Sequence, residues 1–366
     1  MKRRHLFEQI AVGGMAGALT ACSYPPELTS EPERSQPVVN WRMATSWPRF
    51  LDVFEGLDIL CQRVSEMTSG RFTITPYEGG ELAPPLGVFD AVAAGEVPCA
   101  HTALYYFVDK DPALAFGASI PFGFDTQQQH AWLYSGGGIA NIQKLLDPFG
   151  LVWLPAGNTT GQMGGWFRQP INTVADLAGL KMRIPGLGGQ VLSRLGVATT
   201  PLAAQNIVPA LLDGTIDAVE WIGPREDRTL GLQNAAAYYY YPGWWEPATT
   251  FALLINQQQW ANLPPAYQTV LKTASAAANL AMVARYNARN REILERFRLG
   301  GTTTLPFSDE ILATVRQTAF DMYEEFAADD RTFDTLYRQW LDFRQNLYAW
   351  NRVSSLSLAQ FAFNTV

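Results

Sequence analysis

From Val38 onward the chain alternates between two hydrophobic periods, and that alternation restricts its fold more than any other feature. Val39-Asn40-Trp41-Arg42-Met43-Ala44 switches between apolar and polar residues like a strand and ends at Ser46-Trp47-Pro48. Phe50, Phe54, Leu57, Leu60, Val64 and Met67 then mark the stripe of an amphipathic helix, which Ser69-Gly70 stops. Phe72 to Tyr77 reads as the next strand, followed by a helix carrying Val88 and Val92 up to a turn at Gly95. Strand, helix, strand, helix predicts an α/β lobe with a largely parallel sheet.

A second series begins near Leu151-Val152-Trp153-Leu154 and continues through Met163 to Phe167. Leu180 to Pro185 is a short strand running into a Gly-rich turn, with a helix from Gln190 to Leu195. Ile207 to Leu212 is helical and stops at Asp213-Gly214; Ile216 to Trp221 is a strand whose polar end meets Gly223-Pro224. Thr249 to Ile255 is a nearly unbroken apolar run, as in a sheet buried on both faces. Ala266 to Leu299 contains no Gly or Pro and reads as one helix on the order of 50 Å long. Its length suits a strut bracing two lobes. Two more helices are expected over about 309–328 and 332–347, and Tyr238 to Tyr241 are left unassigned.

The first 22 residues read as a targeting segment. Lys2, Arg3 and Arg4 precede a Gly/Ala-rich apolar stretch that is too short to span a bilayer. Leu19-Thr20-Ala21-Cys22 resembles a bacterial lipobox, and Arg3-Arg4 with Leu6-Phe7 resembles a twin-arginine export signal. Residues 23–37, rich in Pro, Ser and Glu, read as a flexible tether. The expected location is the periplasm, with a lipid anchor at Cys22.

Chemistry is narrowed by exclusion. Net charge is −7, with no basic cluster, which argues against nucleic acid. Three Cys make no disulfide framework, and no H-E-x-x-H, C-x-x-C or G-x-S-x-G occurs. Gly186-Leu187-Gly188-Gly189-Gln190-Val191 fails the dinucleotide pattern, because Val191 takes the third glycine's place and Asn206 stands where an acid is needed. What remains is polar residues at strand ends. Arg183 sits in an apolar strand just before Pro185, where a guanidinium can clamp a carboxylate; a surface Arg on an edge strand fits composition equally well. Glu220-Trp221 and Gln162 occupy similar places, and ligands in α/β folds bind beyond the carboxyl ends of strands.

The chain resembles the extracytoplasmic binding subunit of tripartite ATP-independent periplasmic (TRAP) transporters over nearly all of residues 38–347. The resemblance rests on Gly79-Gly80-Glu81-Leu82, Asp176-Leu177 to Leu180-Lys181-Met182-Arg183, Asp213-Gly214 to Trp221, and Trp260 with Leu263-Pro264 and Gln268. Gly157-Asn158-Thr159, Gln162 to Phe167 and Tyr241-Pro242-Gly243-Trp244 look most like the branch that binds 2-oxo and 2-hydroxy acids; Thr159-Thr160-Gly161 departs slightly from it. The resemblance implies a two-lobed periplasmic binding protein with the ligand cleft between lobes and a long bracing helix. It divides the chain into lobe I (38–160, with part of the chain after 249), lobe II (161–250), the long helix (264–299) and C-terminal helices (300–366). It implies that Arg183 clamps the carboxylate, with Asn158, Gln162, Trp221 and Glu246 as further ligand contacts. It also implies Na⁺ or Ca²⁺ bridging ligand and protein through Gln162, Glu220 and the Trp221 carbonyl, a hard-oxygen set. The partners implied are a small organic carboxylate and TRAP membrane permease subunits. Some relatives pair through C-terminal helices, so the residues after Leu347 are the candidates for a homodimer contact. An exported enzyme acting on a small carboxylate or glycan, and a ligand-sensing lipoprotein, stand as the alternatives.

Overall fold

The computed structural model describes residues 36–364, so the leader over residues 1–22, Cys22 and most of the tether lie outside the described residues. Its strands in chain order are β1 (Val39–Thr45), β2 (Phe72–Pro76), β3 (Cys99–Thr102), β4 (Leu151–Asn158), β5 (Trp166–Phe167), β6 (Lys181–Arg183), β7 (Ala198–Thr200), β8 (Ala218–Val219), β9 (Tyr238–Tyr241), β10 (Thr250–Asn256) and β11 (Thr303–Pro306). They form two sheets, ordered β2-β1-β3-β10-β4 and β11-β9-β5-β8-β6-β7.

Both sheets are mixed rather than largely parallel. In the first, β1 runs parallel to β2 and β3, and β10 runs antiparallel to both β3 and β4. The apolar run of β10 is thus a central strand, with Leu253 opposite both His101 and Leu154. It enters from the far side because the chain first builds most of the second sheet and then returns.

Two expectations are corrected in detail, and one unassigned stretch is placed. The glycines after Pro185 are the first turn of a helix, Gly186–Arg194, and not a turn before one. They permit close packing: a Cβ on Gly188 would lie 2.6 Å from Trp245 Cβ. The tyrosine run is β9, with Tyr239 and Tyr240 buried on opposite faces, one stacked on Trp166 and the other against Phe307. The segment after the long helix also contains β11, which extends the second sheet beside β9.

The long helix spans Pro265–Leu299. Near its middle it packs on helix Asp52–Met67 and on β4, and near its end Phe297 meets Trp166 and Tyr239 of the second sheet edge-on. One rigid rod therefore touches both sheets, as a strut must. Met282 is the closest of these contacts. A Cβ on Gly56 would lie 2.6 Å from its Cγ, and one on Gly157, at φ +145°, would lie 2.5 Å from its Sδ. Gly56→Val should therefore destabilise the fold by about 1–3 kcal/mol in thermal or denaturant unfolding. Met282→Ala should open space for the new side chain, so the double variant should lose less than the two single losses added together. Strict additivity would show that Met282 and Gly56 do not compete for the same volume.

Candidate functional site

Five stretches of chain bring polar side chains to one buried place. β6 ends at Arg183, Glu220 and Trp221 follow β8, Gln162 lies in the loop after β4, Glu246 precedes β10, and Tyr105 and Tyr106 follow β3 in the turn Leu104–Phe107. The first two come from the second sheet and the last three from the first, or from the crossings between the sheets. Arg183, Glu220, Gln162, Glu246 and Trp221 are each no more than 7% exposed.

Arg183 is the centre of the cluster. Its Nη1 donates to Glu220 Oε2 at 2.9 Å and to the Glu220 carbonyl at 2.7 Å, while Nε donates to the Leu202 carbonyl at 3.2 Å. The guanidinium carbon stands 5.0 Å from the centroid of the Trp221 ring, a cation–π distance. Four contacts to three residues fix the plane of the guanidinium before any ligand arrives.

A second knot lies beside it. Gln162 Nε2 donates to Thr249 Oγ1 at 2.8 Å, to Thr159 Oγ1 at 3.1 Å and to Glu246 Oε2 at 3.4 Å, and Thr249 Oγ1 donates to Glu246 Oε2 at 2.9 Å. Because the amide nitrogen is held this way, Gln162 must turn its oxygen the other way. Tyr105 and Tyr106 lie within the electrostatic reach of Arg183, Glu220 and Glu246, which places both rings beside the two knots.

The charges do not balance, since two carboxyls face one guanidinium. Burial, and then repulsion from Glu246, hold the Glu220 carboxyl well above the usual range against the pull of Arg183. Burial raises Glu246 to about 7, opposed by its Thr249 hydrogen bond and by Arg183. Burial works hardest against the Arg183 charge, but Glu220, Tyr106, Tyr105 and Glu246 together outweigh it and the pKa is raised, so the guanidinium stays charged.

Two oxygens in this cluster are buried without a hydrogen-bond partner, Gln162 Oε1 and Glu220 Oε1. Leaving such atoms unmatched costs about 1–3 kcal/mol each. An amide oxygen and a carboxyl oxygen are hard donors of the kind that suit Na⁺ or Ca²⁺. The indole Nε1 atoms of Trp221, Trp244 and Trp245 are likewise buried without an acceptor.

Asn158 is placed differently from the rest. Its Oδ1 accepts from Thr126 Oγ1 at 2.9 Å and from Thr160 N at 2.8 Å, and its Nδ2 donates to Thr250 Oγ1 at 3.2 Å. Those bonds hold Thr160 at φ 62°, left-handed backbone that a β-branched residue adopts only under constraint. They thereby shape the 159–161 loop that carries Gln162. Sequence reading missed Tyr105, Tyr106 and Thr249. The two tyrosines look like core aromatics, and only their position just beyond β3 could have singled them out.

Two surface hollows differ in how they relate to the cluster. One of about 720 Å³, lined by Tyr134, Trp153, Trp260 and Lys272, contains none of its residues. Another of about 400 Å³ reaches Gln162 beside Gly243, Trp244 and Arg344. The cluster itself is enclosed by both lobes.

Known proteins share this architecture. The model of the family described as bacterial extracellular solute-binding protein, family 7, matches residues 43–330. A monocarboxylate 2-oxoacid-binding periplasmic protein of Nostoc sp. is 51% identical over 362 residues, which is 99% of each chain. A TRAP transporter solute-binding protein of Bordetella bronchiseptica, solved with copurified calcium and picolinate, is 39% identical at a TM-score of 0.89, covering 90% of this chain and 98% of that one. A TRAP periplasmic solute-binding protein of Pseudoalteromonas atlantica, solved with sodium and pyruvate, is 34% identical at a TM-score of 0.84, covering 88% and 98%. The family match runs from β1 into the helices beyond β11 and takes in every residue of the buried cluster; the chain belongs to the bacterial extracellular solute-binding proteins of family 7.

Proposed function

We propose that this protein is the solute receptor of a TRAP-type transporter, and that it captures a small 2-oxo or 2-hydroxy monocarboxylate in the buried cluster. The reading is carried by one observation: Gln162 Oε1 and Glu220 Oε1 are buried and unmatched beside a fixed guanidinium. Arg183 clamps the carboxylate, with Trp221 and Glu246 lining the site and Asn158 holding the loop from which Gln162 reaches in. Gln162, Glu220 and the Trp221 carbonyl hold Na⁺ or Ca²⁺; the cation supplies positive charge for the ligand's carboxylate and 2-oxygen and offsets the excess of carboxyls. Relatives solved with calcium and picolinate, with sodium and pyruvate, and with calcium and pyruvate support a cation bound together with a carboxylate. The receptor is not an enzyme, and an exported hydrolase reading falls with the family assignment.

In the closed protein, water is excluded around Arg183, so its attraction for a carboxylate is stronger than at a surface. Ligand binding then favours the closed form, and the permease subunits in the membrane receive that form. Calorimetry with pyruvate and lactate, with and without calcium, tests the site. Arg183→Lys keeps the charge but loses the planar fork, and should weaken binding at least about tenfold. Glu220→Gln should abolish the dependence on the cation. Binding that ignores both chelation and Arg183→Lys would rule out this arrangement.

The raised carboxyls add a pH signature. Glu246 is at about 7 in the cation-free fold against an ordinary value of 4.5, so the folded state holds the extra proton in that window. Stability from this group is therefore full below 4.5 and is lost as pH rises through about 7. A cation takes the ionised form and must compete with that proton. Calcium should raise the melting temperature little near about pH 5 and much more near about pH 8. An equal rise at both would count against Glu246 sharing the cation's field.

Location and assembly complete the reading. We place the receptor in the periplasm, anchored through Cys22, and paired through the C-terminal segment, where Trp350, Val353, Phe361 and Phe363 are exposed. Cell fractionation and light scattering check both: Cys22→Ser should leave the membrane fraction, and truncation after Leu347 should give monomers. A wild-type protein that is already soluble and monomeric contradicts these assignments.

A further inference from the structure

Helix Asp52–Met67 starts without a cap of its own. Its N-cap residue is Leu51, which has no side-chain acceptor, so the first backbone N–H groups need a partner from elsewhere. They find one far along the chain. Glu226 Oε1 accepts from Val53 N at 2.9 Å and Oε2 accepts from Asp52 N at 3.2 Å, and the Tyr286 hydroxyl of the long helix also donates to Oε1. Glu226 is fully buried, and beside it Arg225 Nε donates to Asp52 Oδ2 at 2.8 Å.

The next residue holds the other lobe. Asp227 accepts from Trp166 Nε1 and from Tyr239 Oη, both on the second sheet, and from the backbone N–H groups of Ile222 and Gly223. Short helix Pro224–Leu230 is thus tied to the second sheet by Asp227 and to a first-lobe helix by Glu226. Only Ile222 and Gly223 separate it from Glu220-Trp221 in the ligand cluster.

We infer that Glu226 is the closure latch of this receptor, a positioning residue that sets how far the ligand-free protein closes and so how tightly it holds any solute. Opening the lobes draws its carboxylate away from the end of helix Asp52–Met67 and exposes the two N–H groups to water. Closing restores a hydrogen-bonded carboxyl cap at a helix N-terminus, with Tyr286 as third partner. Part of the free energy of closure is then supplied without ligand, and the ligand supplies correspondingly less. Because Glu226 touches no ligand group, it scales all affinities by one factor and leaves their order unchanged.

The inference rests on the carboxylate-receptor reading only for its binding arm. The test uses the full chain and the variants Glu226→Gln, Glu226→Ala and Tyr286→Phe. Small-angle scattering of ligand-free protein should give a larger radius of gyration for Glu226→Ala than for wild type, with Glu226→Gln between them. Affinities for pyruvate and lactate in calcium should both fall by roughly tenfold in Glu226→Ala, through faster dissociation in stopped flow. A lower melting temperature with unchanged radius and unchanged dissociation rate would reduce Glu226 to a structural cap and overturn the latch. If Glu226→Ala does not fold, Glu226→Gln and Tyr286→Phe carry the same comparison. If wild type binds neither acid, the ligand assignment fails, and the scattering comparison still decides the latch.

Discussion

A buried guanidinium facing two buried carboxyls is the interaction on which the rest depends. Arg183, Glu220 and Glu246 have all left water, and desolvation of that kind is repaid only by close, well-aimed contacts. Glu220 supplies both its carboxyl group and its carbonyl to Arg183, while Glu246 is steadied by Thr249 and Gln162. The balance still leaves one carboxyl more than the cation present, and two oxygens unmatched. Under the proposed function, those unmatched oxygens and the fixed guanidinium are what a cation and a carboxylate would satisfy together.

The two sheets and the long helix exist, in mechanical terms, to bring those groups together. Strand ends from both sheets face the same place, and the helix Pro265–Leu299 packs on each sheet with a different part of its length. Met282 fills the hollow left by Gly56 and Gly157, so the strut meets the first lobe without a gap. The short helix Pro224–Leu230 works at closer range, with neighbouring carboxyls bound to opposite lobes. That helix begins only a few residues after Glu220.

Much of the fold was legible from periodicity. The β1 alternation, the helix over 52–67, the buried run of β10 and the uninterrupted long helix all follow from local patterns whose periods match their elements. Sheet direction was not legible. β10 lies antiparallel between β3 and β4, a matter of where the chain returns and not of any residue within it. β11 and the tyrosine strand β9 were missed for a related reason: short segments carry little pattern, and pairing with β5 and with each other defines them.

The candidate site divides along the same line. Arg183, Glu220 and Gln162 stood out because a polar residue at the end of an apolar strand is conspicuous in one dimension. The motif order then pointed to the family to which the chain belongs. By itself the sequence determined an α/β body, the strand-end polar residues and the strut, since each depends on residues near one another in the chain. Only tertiary structure decided that Tyr105 and Tyr106 join the cluster, that Asn158 serves the loop, and that Glu226 caps a helix 174 positions away from it in sequence. Those roles arise from proximity and hydrogen bonds between residues far apart in the chain, and their geometry exists only once both lobes are folded and in contact.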